Sequence, residues 1–166
     1  MIVNVHKCRP IYHPIPVLAW LIMIFQKMLP WKKNSWSHMC LSYHSQFHNE
    51  IYMDATSKSV RLAPEFIYKK RYEIVETVKI DIKDSHGFYK WVESQLGKEY
   101  DNLQLIGIAA KVLNFISFNK LGRDYEKLIC SELILNMIQR FKGANVIDSD
   151  NWDLLMTWAL VKKHEA

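Results

Sequence analysis

The sequence is short of cysteine, of long apolar runs and of concentrated charge, and each shortage removes a class of protein. Three cysteines, Cys8, Cys40 and Cys130, form an odd set with no CxxC pair. A disulfide framework is therefore not expected, and a reducing, cytoplasmic setting is. The longest apolar run, "VLAWLIMIF" over residues 17–25, falls short of the ~20 residues that cross a bilayer. "PIYHPIP" precedes that run and no small-residue cleavage site follows it, so a signal peptide is not expected. The net charge is +5, yet the basic residues are scattered over Lys32 and Lys33, Lys69 to Arg71, and Lys162 and Lys163. Without a Lys/Arg block, a basic helix or zinc-finger spacing, a nucleic-acid partner is not expected. No internal repeat, low-complexity tract or linker divides the chain, which predicts one domain over residues 1–166.

What is present is ordinary for a folded chain, with 49% apolar and 23% charged residues, and somewhat rich in aromatics at 13%. That composition predicts a thick core or an apolar groove rather than disorder. "HPIPVLAWLIMIFQKMLP" reads as a helix entered through proline and closed by Pro30, apolar nearly all round as buried helices are. "SWSHMCLSYHS" and "NEIYMDAT" read as an antiparallel hairpin, with "SVRL" extending the sheet before Pro64. "RYEIVETVKIDI" is the clearest strand, with Ile74, Val78, Ile80 and Ile82 expected on one side. The period then changes. "SHGFYKWVESQLG" reads as a helix stopped by Gly97, and "YDNLQLIGIAAKVLNFISF" as one helix or two short ones. Another helix runs from Cys130 to Gly143, and a last one follows Asp150, a natural N-cap. Strands first and helices afterwards predict an α+β fold.

Cys130 stands at the mouth of a helix, where unpaired N–H groups and the helix dipole favour a thiolate, the form that acts as a nucleophile. His38 lies in a strand, where an imidazole on a sheet face calls for a reason. Asp54 lies in the next strand, and antiparallel pairing could bring its carboxylate to the ring and hold one tautomer. The opposing reading makes Cys130 a small buried hydrophobe, His38 a hydrogen-bonded sheet residue and Asp54 a turn residue. Zinc is a weaker alternative, because "HMCLSYHSQFH" offers His38, Cys40, His44 and His48 without a structural-zinc spacing. Cys40 is expected in the core, Arg61 as an exposed strand residue, with a groove position binding a substrate carboxylate as the alternative, and Glu132 as an acidic residue favouring the helix start.

Taken in order, "WSHMCL", "YMDATSKSVRL", "FYKWVESQLGKEYD" and "LICSELI" resemble the circularly permuted papain-like hydrolases. These are also described as permuted NlpC-type or YiiX-like amidases, with lecithin retinol acyltransferase more distant. In that branch the His strand comes first and the Cys helix last, and the resemblance runs from about Val17 to Trp158. It implies a papain-like antiparallel sheet packed against helices, with Cys130 as nucleophile, His38 as base and Asp54 as third polar residue, with Glu50 and His48 near enough to compete. Tyr100 and Asp101 match a recurrent structural pair. No cofactor or metal is implied. The expected substrate is a peptide, amide or acyl compound, cleaved at an amide, peptide or (thio)ester bond. Two other readings stand beside it. One is a non-catalytic binding or inhibitory protein on the same fold. The other is a membrane-surface acyl hydrolase or acyltransferase that uses the apolar segment at residues 17–28 with Trp20, Trp31 and Trp36.

Overall fold

Val3 and Val5 alternate with Asn4 and His6 at the start of the chain, the period of a strand covered on both faces. In the computed structural model, which describes residues 1–11, 36–45, 49–56, 58–99, 129–143 and 154–165, this segment is strand β1, Ile2–Pro10. The other strands are β2 (His38–Tyr43), β3 (Ile51–Ala55), β4 (Val60–Pro64) and β5 (Tyr72–Asp81). A one-turn helix α1 (Glu65–Tyr68) joins β4 to β5. Helices α2 (Ser85–Gln95), α3 (Cys130–Lys142) and α4 (Leu154–Lys163) follow the sheet. The described residues thus form an α+β structure with a five-stranded antiparallel sheet in the order β4-β3-β2-β1-β5.

Expectation and structure agree on the β2–β3 hairpin, on β4, and on the starts and stops of α2 and α3. Asp84 caps α2 by accepting from the Gly87 N–H at 2.8 Å. Gly97, at φ 79°, turns the chain so that its N–H and the Lys98 carbonyl pair with Val60 of β4. Gly143 ends α3 at φ 65°, a left-handed conformation that favours glycine. The strand absent from the sequence expectations is β1, which lies between β2 and β5. One expectation about β5 needs correcting. Val78, Ile80 and Ile82 share the main core, whereas Ile74 packs with Cys8 on the opposite face. The reason is a bulge: Lys7 pairs with Glu76 and Cys8 with Ile74, so Val75 is an extra residue that flips the alternation.

The two faces of the sheet differ in chemistry. On the first, Val3, Val5, Met39, Leu41, Met53 and Val78 meet Leu133, Ile134, Met137 and Ile138 of α3. The second carries Cys8, Cys40, Tyr52, Ala63 and Tyr68, together with the polar side chains described below. The expected helix within residues 13–30, the helical stretch after Tyr100 and Asp101, and the Asp150 cap lie outside the described residues. Among the described residues no helix is long and apolar enough to cross a membrane.

Leu133 sits one turn after the start of α3 and is fully buried against the sheet. Leu133→Ala is expected to cost about 2–5 kcal/mol, seen as a lower urea midpoint at unchanged m-value. A loss below about 1 kcal/mol would mean that α3 is not seated on the sheet as described.

Candidate active site

Antiparallel pairing of β2 and β3 sets Cys40 opposite Asp54, which leaves His38 two residues away along the same face of β2. The imidazole Nε2 lies 3.4 Å from Asp54 Oδ2. This is an ion-pair contact rather than an aligned hydrogen bond, since Nε2 has no hydrogen-bond partner among the described residues. Asp54 meets His38 from β3, and Cys130, at the first turn of α3, lies near enough to act on its ionisation. Cys130, His38 and Asp54, the three residues expected from the sequence, are therefore gathered at one end of the sheet.

Electrostatics follow from that gathering. Burial by itself would lower the pKa of His38, but the Asp54 carboxylate and the Cys130 sulfur overcome it and hold the ring at about 10. Asp54 is wholly buried, which would raise its pKa; His38 and Arg61 together bring it below the ordinary carboxylate value. Arg61 is not the plain exposed strand residue expected. It stands opposite Asp54 in the β3–β4 register, with its Nε donating to Oδ1 at 3.0 Å and its Nη2 to Oδ2 at 3.5 Å. The Tyr72 ring stacks on His38 with centroids 4.9 Å apart at 25°. Neither Arg61 nor Tyr72 could be assigned to the site without knowing the cross-strand register.

At the start of α3, the Leu133 N–H bonds to the Ile129 carbonyl. The N–H groups of Cys130, Ser131 and Glu132 consequently have no acceptor within the helix. Glu132 turns back so that its carboxylate accepts from the Ile129 N–H at 3.2 Å, which caps the helix. Ser37 and Ser131, the neighbours of His38 and Cys130 in the chain, have buried hydroxyls without hydrogen-bond partners among the described residues. Orphaned buried hydroxyls are rare and call for an explanation.

Glu50, the competitor for the third position, is engaged elsewhere. It accepts from Ser42 at 2.5 Å, from Asn4 at 2.9 Å and from Tyr52 at 3.3 Å. His6 completes that network, with Nε2 2.7 Å from Ser42 Oγ and Nδ1 2.8 Å from Thr77 Oγ1. Ser42 gives its proton to Glu50, so it accepts from His6 Nε2–H, and Nδ1 accepts from Thr77. A Ser–His contact of this kind invites a catalytic reading, but Ser42 is wholly buried and its proton is committed to Glu50. Cys8 and Cys40 lie 3.5 Å apart as free, buried thiols, and burial pushes the Cys40 thiol up. His48 lies outside the described residues. Among the described residues no three His, Cys, Asp or Glu side chains converge as a metal site. Comparison with models of known protein families finds no match, and comparison with curated proteins finds none either.

Linkage sets the pH dependence. The raised pKa of His38 contributes stability that is complete below its ordinary 6.5 and is lost as pH rises through about 10. The depressed pKa of Asp54 contributes stability present above its ordinary 3.8 and lost as pH falls through the folded value. Asp54→Asn removes the carboxylate that both His38 and Arg61 face. It is expected to drop the His38 pKa toward 6.5, to cost about 3–5 kcal/mol, and to flatten stability at both pH extremes. NMR titration of the His38 ring and urea unfolding across pH measure these effects.

Proposed function

We propose that this protein is a cysteine-dependent hydrolase of the permuted papain-like type, cleaving an amide, peptide or (thio)ester bond. The observation that carries the reading is one buried imidazole held between a carboxylate at 3.4 Å and the thiol of the residue that opens α3. Chain order supports it: His strand, carboxylate strand, then Cys helix late in the sequence.

The chemistry follows from the atoms. Nε2 faces Asp54, which leaves Nδ1 to take the Cys130 proton. The thiolate attacks the carbonyl carbon, forming a C–S bond while the carbonyl π electrons move to oxygen. The Cys130 N–H at the helix start is a donor for that oxyanion. With its pKa near 10, His38 is an imidazolium at neutral pH and protonates the leaving group as the tetrahedral centre collapses to an acyl-enzyme. Water then attacks the acyl carbon, giving its proton to His38, and the thiolate departs. The unpartnered hydroxyls of Ser37 and Ser131 support the reading, because polar substrate atoms or water would satisfy them.

A second reading is favoured by one observation. Cys130 is only 4% exposed, as in a non-catalytic binding or inhibitory protein that keeps the architecture. The membrane-surface reading draws on residues 17–28, outside the described residues, and nothing else favours it.

Site-resolved alkylation by iodoacetamide separates the first two. Cys130 is expected to label in the folded protein, while Cys8 and Cys40, both wholly buried, label only on unfolding. His38→Ala should slow Cys130 labelling at pH 6.5 on the order of tenfold or more, as an ordinary thiol is almost fully protonated there. Labelling of Cys130 only after unfolding, or at a rate indifferent to His38, would establish the non-catalytic reading.

A further inference from the structure

Asp54 is fully buried and its two oxygens face different cations: Oδ2 faces His38 Nε2 at 3.4 Å, and Oδ1 accepts from Arg61 Nε at 3.0 Å. The Arg61 side chain lies across the neighbouring strand, opposite Asp54 in register, and its Nη2 also reaches Oδ2 at 3.5 Å. A guanidinium that grips a carboxylate along two atoms fixes both its ionisation and its rotation, whereas a single donor fixes only the first. The two cations are not equivalent. His38 loses its charge each time it gives up a proton, and at that moment a buried carboxylate without another partner would be left uncompensated. Arg61 never loses its charge.

We infer that Arg61 is the positioning residue of this site, holding Asp54 ionised and turned toward His38 whether or not His38 carries a proton. The inference rests on the reading of Cys130 and His38 as the reactive pair, and it specifies how that pair keeps its third member. The other described groups around His38 cannot take this role. Tyr72 of β5 covers the ring face, Cys8 of β1 is the strand partner of His38, and Cys130 of α3 is the reacting thiol. None of them brings a permanent positive charge to Asp54.

The test is the titration of the His38 ring by NMR in wild type, Arg61→Gln and Arg61→Lys, with Cys130 alkylation measured at pH 6.5 in the same samples. The sign discriminates. If Arg61 were only a nearby charge, its removal would relieve repulsion on the imidazolium and the His38 pKa would stay or rise. A positioning role requires a fall of roughly one to two units in Arg61→Gln, the size of an opposite-charge partner's influence, with slower Cys130 labelling. Arg61→Lys keeps the charge but not the two-atom grip, so a smaller fall is expected. This variant carries the test if Arg61→Gln does not fold, and an unchanged His38 pKa in it overturns the inference. A wild-type Cys130 that labels independently of His38 would instead remove the hydrolase reading, while the His38 shift would still report on Arg61.

Discussion

A wholly buried carboxylate is the constraint around which this sheet is arranged. Asp54 has no access to solvent, and an isolated ion in that position would take up a proton rather than stay charged. It remains ionised only because β2 supplies His38 on one side and β4 supplies Arg61 on the other. Both contacts depend on register. A slip of one residue in either pairing would turn the partner to the opposite face and leave the charge alone. The apolar first face keeps the register from slipping, since Met39, Leu41 and Met53 would be turned off the α3 interface by the same movement. Packing on one side thus secures electrostatics on the other.

Two buried histidines show how much partner chemistry decides. His6 and His38 lie on adjacent strands and are joined by a column of stacked rings through Tyr52, Tyr68 and Tyr72, with centroids 4.5 to 5.3 Å apart. Burial pushes both toward the neutral form. His6 meets only hydroxyls at its nitrogens and falls to about 4. His38 meets a carboxylate and a thiol and rises to about 10. The same ring in nearly the same dielectric is a neutral hydrogen-bond relay in one place and a charged imidazolium in the other. The aromatic column contributes packing, on the order of 0.5–1.5 kcal/mol per pair beyond area, without settling either protonation state.

Local signals were the legible ones. The β2–β3 hairpin could be read because its strand formers alternate across a short polar connection, and α3 could be read because its apolar period begins at Cys130 and stops at Gly143. The hairpin brings His38 and Asp54 together, and the expectation that Cys130 joins them comes from the resemblance to the permuted papain-like hydrolases, not from a local pattern. What could not be read was non-local. β1 pairs with β2 across residues 11–37 and with β5 from the far end of the sheet, and no periodicity in "IVNVHKCRP" says where it will be inserted. Arg61 looked like a surface residue because strand pattern gives a side chain's face but not its cross-strand partner. Ile74 was expected with Val78 because an extra residue at Val75 leaves no compositional mark.

The three cysteines complete the physical argument. Cys8 is the strand partner of His38 and Cys40 lies two residues along the same strand, so nearness in the sheet does not single out Cys130. A helix start does. Cys8 and Cys40 face each other and Tyr68 within the second core cluster. Burial opposes charge on both sulfurs and holds the Cys40 thiol up, yet the contacts of Cys8 with Cys40, His38 and Tyr68 bring its thiol below the ordinary value, and neither residue sits at a helix start. Cys130 alone stands where a helix leaves N–H groups without acceptors. Under the hydrolase reading, the sulfur meets His38 from the start of α3 while Asp54 meets Nε2 from β3, so thiol and carboxylate engage one ring from different elements of the fold.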